Sequence, residues 1–127
     1  MLLVVFKKNK EILMKKEKRV KTKQDFQKVI AAKKKISSNI FVIYYLSNDK
    51  QESRYGISAS KKLGNAVMRV KIRRQVRSMI VEIERFENII HLDFVIIVRR
   101  KFLNNNYHDN LEELKKMLLK IGGMTNE

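Results

Sequence analysis

The run Phe94-Val-Ile-Ile-Val98 is five apolar residues long with no polar interruption. A strand with one face in water alternates apolar and polar side chains, so an unbroken β-branched run reads as a strand at the centre of a sheet. Any fold for this chain has to be built around it. The strand is expected within residues 89–98. Residues 40–46, Ile-Phe-Val-Ile-Tyr-Tyr-Leu, form a second strand that exits through the turn signal Ser47-Asn-Asp-Lys50. Residues 54–60 alternate Tyr55, Ile57 and Ala59 on one face, with Arg54, Ser58 and Ser60 on the other. We expect this segment to pair with the preceding strand as a hairpin.

Three stretches have helical periodicity. In residues 22–34, Thr22 is a candidate cap, Phe26, Val29 and Ile30 recur at helical spacing, and lysines fill the opposite face. Residues 65–84 follow Gly64, a strand breaker, and Asn65, a candidate N-cap. Steps of about 100° per residue put Met68, Ile72, Val76, Met79, Ile80 and Ile83 on one stripe. Residues 107–121 turn Leu111, Leu114, Leu118 and Ile121 inward, and Gly122-Gly123 is the expected stop. The order helix, two strands, helix, strand, helix predicts an α/β (α+β) two-layer sandwich with one sheet face covered by helices. At 127 residues there is room for one core and not two.

Charge narrows the function. Twenty-nine Lys and Arg stand against thirteen Asp and Glu, a net charge of +16, which calls for a polyanionic partner. With 44% hydrophobic residues the chain is a folded domain and not a disordered basic tail. The absence of cysteine excludes disulfides and thiolate metal sites. The opening Met1-Leu-Leu-Val-Val-Phe6 is too short to span a bilayer, and the lysines that follow it reverse the charge order of a signal peptide, so a cytoplasmic location is expected. Met14 opens a second basic start. Residues 1–13 therefore read as an N-terminal extension and 14–127 as a single RNA-binding domain.

The most informative segment runs from Ser58 to Arg77. It holds Lys61, Lys62, Arg69, Lys71, Arg73, Arg74 and Arg77 and no acid. Lys61 and Lys62 precede a helix N-terminus, where free N–H groups and the helix dipole already favour an anion. Arg69, Arg73 and Arg77 follow on successive turns, about 5–6 Å apart, a spacing suited to a nucleic-acid backbone. No protein active site is visible beside them. His91 and His108 stand apart from each other and from any carboxylate cluster with ligand spacing. Asp93, Asp109, Glu112 and Glu113 form no acid/base pair, and Ser58 and Ser60 have no histidine near them. Other features stay open on pattern alone. On periodicity alone Phe26 reads as core more readily than as a stacking platform, Tyr44 and Tyr45 point to opposite faces with nothing to choose between them, and Lys33-Lys-Lys35 suits solvent as well as RNA.

The strand Arg54-Tyr-Gly-Ile-Ser58, followed by Ser60-Lys-Lys-Leu-Gly-Asn-Ala-Val-Met-Arg69 and the basic helix, resembles the protein subunit of bacterial ribonuclease P. The resemblance spans about residues 19–121. It implies a small central sheet of about four strands with three helices, like domain 2 of ribosomal protein S5. It further implies that the chain binds the catalytic RNA through Lys61, Lys62, Arg69, Lys71, Arg73, Arg74 and Arg77. The single-stranded 5′ leader of precursor tRNA would lie in a groove of Phe26, Ile30, Tyr44, Ser58, Ser60, Arg99 and Arg100. In that family the RNA subunit performs the cleavage with Mg²⁺ bound by RNA, so the implied partners are the RNA subunit and precursor tRNA, with no membrane and no DNA. Three positions depart from the family pattern: Val70 stands where it has asparagine, Ile30 where an aromatic is often found, and Lys101 in place of a common proline. The competing reading is a ribosomal or ribosome-assembly RNA binder, which has no use for the leader groove. A DNA-binding helix fares worst, because Asn and Gln base readers are scarce on it.

Overall fold

The computed structural model describes residues 18–20 and 22–125. The expected extension, residues 1–13, and the alternative start at Met14 lie outside them. Helix α1 spans Lys23–Ala31, strand β1 Lys35–Ser37, β2 Phe41–Ser47, β3 Arg54–Ser58, helix α2 Ala66–Phe86, β4 Leu92–Val98 and helix α3 Tyr107–Thr125. Short 3-10 turns at Lys61–Leu63 and Arg100–Asn104 lead into α2 and α3.

The four strands form one mixed sheet in the order β1-β2-β4-β3. The apolar strand β4 does take the interior, antiparallel to β2 (Phe41 opposite Val98) and parallel to β3 (Arg54 opposite Asp93). The expected β2–β3 hairpin is therefore corrected: β4 lies between the two. Ser47-Asn-Asp-Lys50 reverses the chain, but a turn signal does not decide the partner. Burying β4 requires a neighbour on each edge, and α2 supplies the crossover that a parallel β3–β4 pair needs.

Alternation divides the sheet. Phe41, Ile43, Tyr45, Tyr55, Ile57, Leu92, Phe94, Ile96 and Val98 are buried in one core with Ile72, Val76, Met79, Ile80 and Ile83 of α2 and Leu114, Met117, Leu118 and Ile121 of α3. Tyr55 stacks on Phe94 at 5.2 Å, and its hydroxyl donates to Glu84 at 2.9 Å. Burial first, and then the Glu84 charge, push the Tyr55 phenol well above its ordinary range. The opposite face carries α1, so the three expected helices divide two to one between the faces and do not all share one.

Two helix ends differ from expectation. α1 stops at Ala31 and not near Lys34, because Lys33 takes a left-handed conformation (φ 61°) and Lys35 pairs with Tyr44 as an edge strand. α3 runs through Gly122-Gly123 to Thr125, with Ile121 fully buried just ahead of the glycines and neither glycine in the left-handed region. Gly64 does use its freedom, at φ 143°. A Cβ there would also come within 3.0 Å of the Met68 side chain.

Candidate nucleic-acid interface

The first basic surface is built on α2. Its start is fixed as expected: the Asn65 side chain accepts from the Met68 N–H at 2.9 Å, and buried Leu63 anchors the turn that carries exposed Lys61 and Lys62. Arg69, Arg73 and Arg77 follow along one shoulder of the helix. Arg19, whose backbone bridges to Tyr55 of β3, joins this shoulder. Burial, and then the charges of Arg19 and Arg73, hold the Arg77 guanidinium below its ordinary pKa. Arg69 Nε is buried with no hydrogen-bond partner. Among the described residues none of Arg69, Arg73, Arg74 and Arg77 has a carboxylate partner in an ion pair. A phosphate chain would supply a counter-charge to these four arginines.

Arg74 and Lys71 do not share this line. Arg74 sits on the crest of α2, which also exposes Val67 (79%) and Val70 (47%), and Lys71 lies on the far shoulder, towards α3. The seven predicted cations thus occupy both shoulders and the crest of α2 and the short turn that leads into it.

The second surface lies across the sheet, on the α1 face. Register arranges it in rungs. Tyr44, Val95 and Gly56 form one rung, and Val42, Ile97 and Ser58 the next. Arg99 follows beyond β4 and Ser60 beyond β3. Phe26 of α1 lies directly on Gly56: a Cβ at 56 would be 2.5 Å from the ring's Cζ. The half-exposed ring is therefore both packed and available, and buried Val29 holds α1 in place beside it. Ile30, one turn on, is 36% exposed. Tyr45 is buried in the core, which leaves Tyr44 as the surface aromatic, with Lys35 Nζ 5.5 Å from its ring centroid. Arg99 donates to the Ser38 carbonyl at 3.0 Å, and exposed Arg100 opens the following turn. The structure thus collects Phe26, Tyr44, Ser58, Ser60 and Arg99 on one face, with Ile30 and Arg100 at its margins. Lys35, which pattern alone leaves open between solvent and RNA, belongs to it as well, and so does Gly56, which pattern reasoning did not single out.

The far end of this face is locked. Asp93 accepts from Arg54 Nε at 2.8 Å and from Arg54 Nη2, and Asn48 Nδ2 donates to it at 2.8 Å. Arg54 also reaches Asp25 of α1 at 3.9 Å. Burial works to raise the Asp93 pKa, but the hydrogen bonds from Arg54 and Asn48 and the Arg54 charge outweigh it, and the net shift is downward. A carboxylate with a depressed folded pKa contributes stability above its unfolded pKa, and that contribution is lost as pH falls through the folded value. Asp93→Asn is expected to cost about 1–3 kcal/mol at neutral pH. It should also flatten the decline in stability at acid pH, as read by urea denaturation at a series of pH values.

A family model for ribonuclease P matches residues 14–122. The chain belongs to the ribonuclease P protein family. Among its ribonuclease P relatives, the protein component from Mesoplasma florum is 42% identical over 108 residues, 85% of this chain and 98% of the relative. That from Streptococcus agalactiae is 40% identical over 111 residues, covering 87% and 99%. The RNase P protein of Staphylococcus aureus superposes with a TM-score of 0.72 at 32% identity, covering 83% of this chain and 94% of that one. That of Thermotoga maritima gives 0.71 at 27% identity, covering 79% and 94%. These two ribonuclease P proteins therefore share the overall fold described above across most of the chain. No helix among the described residues is long and apolar enough to cross a membrane, and none of their His, Asp and Glu side chains gather in a group of three that could hold a metal ion.

Proposed function

We propose that the chain is the protein subunit of a ribonuclease P holoenzyme in the cytoplasm, binding the catalytic RNA through α2 and the 5′ leader of precursor tRNA in the α1-face groove. The observation that carries this reading is the separation of two different surfaces on one small sheet. The first half of α2, where Arg69, Arg73, Arg74 and Arg77 have no carboxylate partner among the described residues, lies on one side, and an aromatic and cationic groove on the other. Phosphates satisfy the first through Lys61, Lys62, Arg69, Lys71, Arg73, Arg74 and Arg77. An unpaired strand suits the second, because Phe26 and Tyr44 offer ring faces to bases while Arg99 and Arg100 neutralise phosphates. Ser58 and Ser60 add hydroxyl partners, and Ile30 adds an apolar margin.

Cleavage itself is assigned to the RNA, with Mg²⁺ held by the RNA subunit and substrate. The protein's share is binding energy: gripping the leader raises affinity for precursor over mature tRNA, and neutralising phosphates lowers the Mg²⁺ that the RNA needs. The test is 5′-leader cleavage by the cognate RNA subunit at low Mg²⁺, with and without the chain. Stimulation is expected. Tight RNA binding without stimulation would instead favour a ribosomal or assembly role.

Val70 bears on the strength of the first contact. It is exposed on the crest of α2 between arginines, where a polar side chain can add a hydrogen bond to RNA. Val70→Asn is expected to tighten binding to the RNA subunit roughly 2–10-fold, the worth of one net hydrogen bond. Thermal stability should change little, since the site is on the surface. Equilibrium filter binding and a melting curve check both.

A further inference from the structure

Met68, Leu103 and Tyr107 are three of the large apolar side chains left exposed, and they are not scattered. They line one cleft of about 240 Å³ between α2 and the segment that leads into α3. Lys71 and Gln75 of α2 stand on the same cleft, and Asn110 of α3 is buried against it. Asn110 Nδ2 donates to the Phe102 carbonyl at 3.0 Å, which sets the orientation of the amide. Its Oδ1 is left buried with no donor. Folded proteins rarely leave such an acceptor unpaired, and among the described residues none supplies its donor.

We propose that this cleft receives one unstacked nucleobase of the RNA that α2 binds; the proposal rests on reading α2 as an RNA-binding helix. Apolar and aromatic walls suit the flat faces of a base. The Gln75 amide presents both a donor and an acceptor to a base edge, and a small shift of the cleft wall on binding would bring a base amino group or its water to Asn110 Oδ1, which is covered in the free chain. Exposed Lys71 supplies the cation for the attached phosphate. The volume is below the ~300–1,000 Å³ of clefts that hold drug-sized molecules, which fits one ring system. A nucleic acid is favoured over a protein segment by the charge around it: Lys71 lines the cleft and no acidic residue does, on a chain of net charge +16. The cleft lies on the far shoulder of α2 from Arg69, Arg73 and Arg77, so the helix would be held by phosphates on one side and by a base on the other.

A base contact and a phosphate contact differ in salt dependence, and this separates the proposal from the reading it rests on. Binding of the full chain to the cognate RNA subunit would be measured across a salt series for Leu103→Ser, Gln75→Ala and Arg73→Ala, with dimethyl sulfate footprinting of the RNA. Leu103→Ser is expected to weaken binding roughly tenfold with an unchanged salt slope, and to expose the base edge of a single nucleotide. Gln75→Ala should expose the same nucleotide with a smaller loss. Arg73→Ala should instead lower the slope by about one. Native affinity and an unchanged footprint in both cleft variants, with Arg73→Ala still weakened, would overturn the base site and leave the arginine shoulder standing. Native affinity in all three would overturn the RNA-binding reading of α2 itself.

Discussion

Replacing Arg73 and Arg77 together by alanine is expected to lower affinity for the catalytic RNA by two orders of magnitude or more. Neither arginine has a carboxylate partner among the described residues, so its guanidinium can make a charge-assisted bond to phosphate, worth about 1.5–3 kcal/mol. Two such losses come to about 3–6 kcal/mol if they add, and neighbouring sites add imperfectly. The salt dependence carries the sharper signature. Each lost phosphate contact removes about 0.7–0.9 from the slope of log K against log salt, so the double variant should lose nearly two. Filter binding between about 50 and 200 mM salt reads both quantities. A loss of affinity with an unchanged slope would mean that these arginines support the fold and not the RNA.

Gly56→Val is expected to remove most of the discrimination between precursor and mature tRNA while leaving assembly with the RNA subunit intact. A Cβ at position 56 falls 2.5 Å from Cζ and 2.7 Å from Cε2 of Phe26. The ring cannot simply swing aside, because α1 is tied down on both sides of it: Val29 is buried and Asp25 reaches Arg54. The helix must lift, opening the groove at the rung that also holds Tyr44. Overpacking of this kind costs about 1–3 kcal/mol of stability. Loss of one stacked base costs about 1–3 kcal/mol of leader binding, or roughly 5–150-fold. Since α2 lies on the opposite face of the sheet, affinity for the RNA subunit should stay within about twofold of the native value, the scatter of a surface substitution. Comparing precursor and mature tRNA in the same holoenzyme separates the two effects.

What was legible in the sequence follows from how local each signal is. α2 was readable almost to the residue because its cap, its period and its buried stripe all lie within the helix; Met68 alone of the predicted stripe is partly exposed, at the edge of the α2–α3 cleft. The centrality of β4 was readable because burial on both faces leaves its mark in composition. Its neighbours were not, since pairing is set by contacts far apart in sequence, and a turn before β3 looks the same whether β3 returns to β2 or passes beyond β4. The end of α1 was hidden for the same reason. Lysine is a good helix former, and only the pairing of Lys35 with Tyr44 across the sheet ends the helix early.

The candidate site divides in the same way. The cations of α2 were plain from spacing, whereas Arg19 reaches their shoulder through a bridge to Tyr55 that no local pattern announces. Tyr44 and Tyr45 could not be told apart until register placed Tyr45 in the core. Phe26, which pattern alone favours as core, is packed on Gly56 but only half-buried. The glycine in Arg54-Tyr-Gly-Ile-Ser58 carried that information, but only once the helix above it was in place.

The most direct test of the account is the affinity of the holoenzyme for precursor tRNA with a full 5′ leader against the same tRNA without one, measured with and without the chain. The chain is expected to strengthen binding of the leader-bearing substrate selectively, and Phe26→Ala and Tyr44→Ala to erode that selectivity. Equal strengthening of both substrates would contradict it, leaving the α1-face groove with no leader to hold.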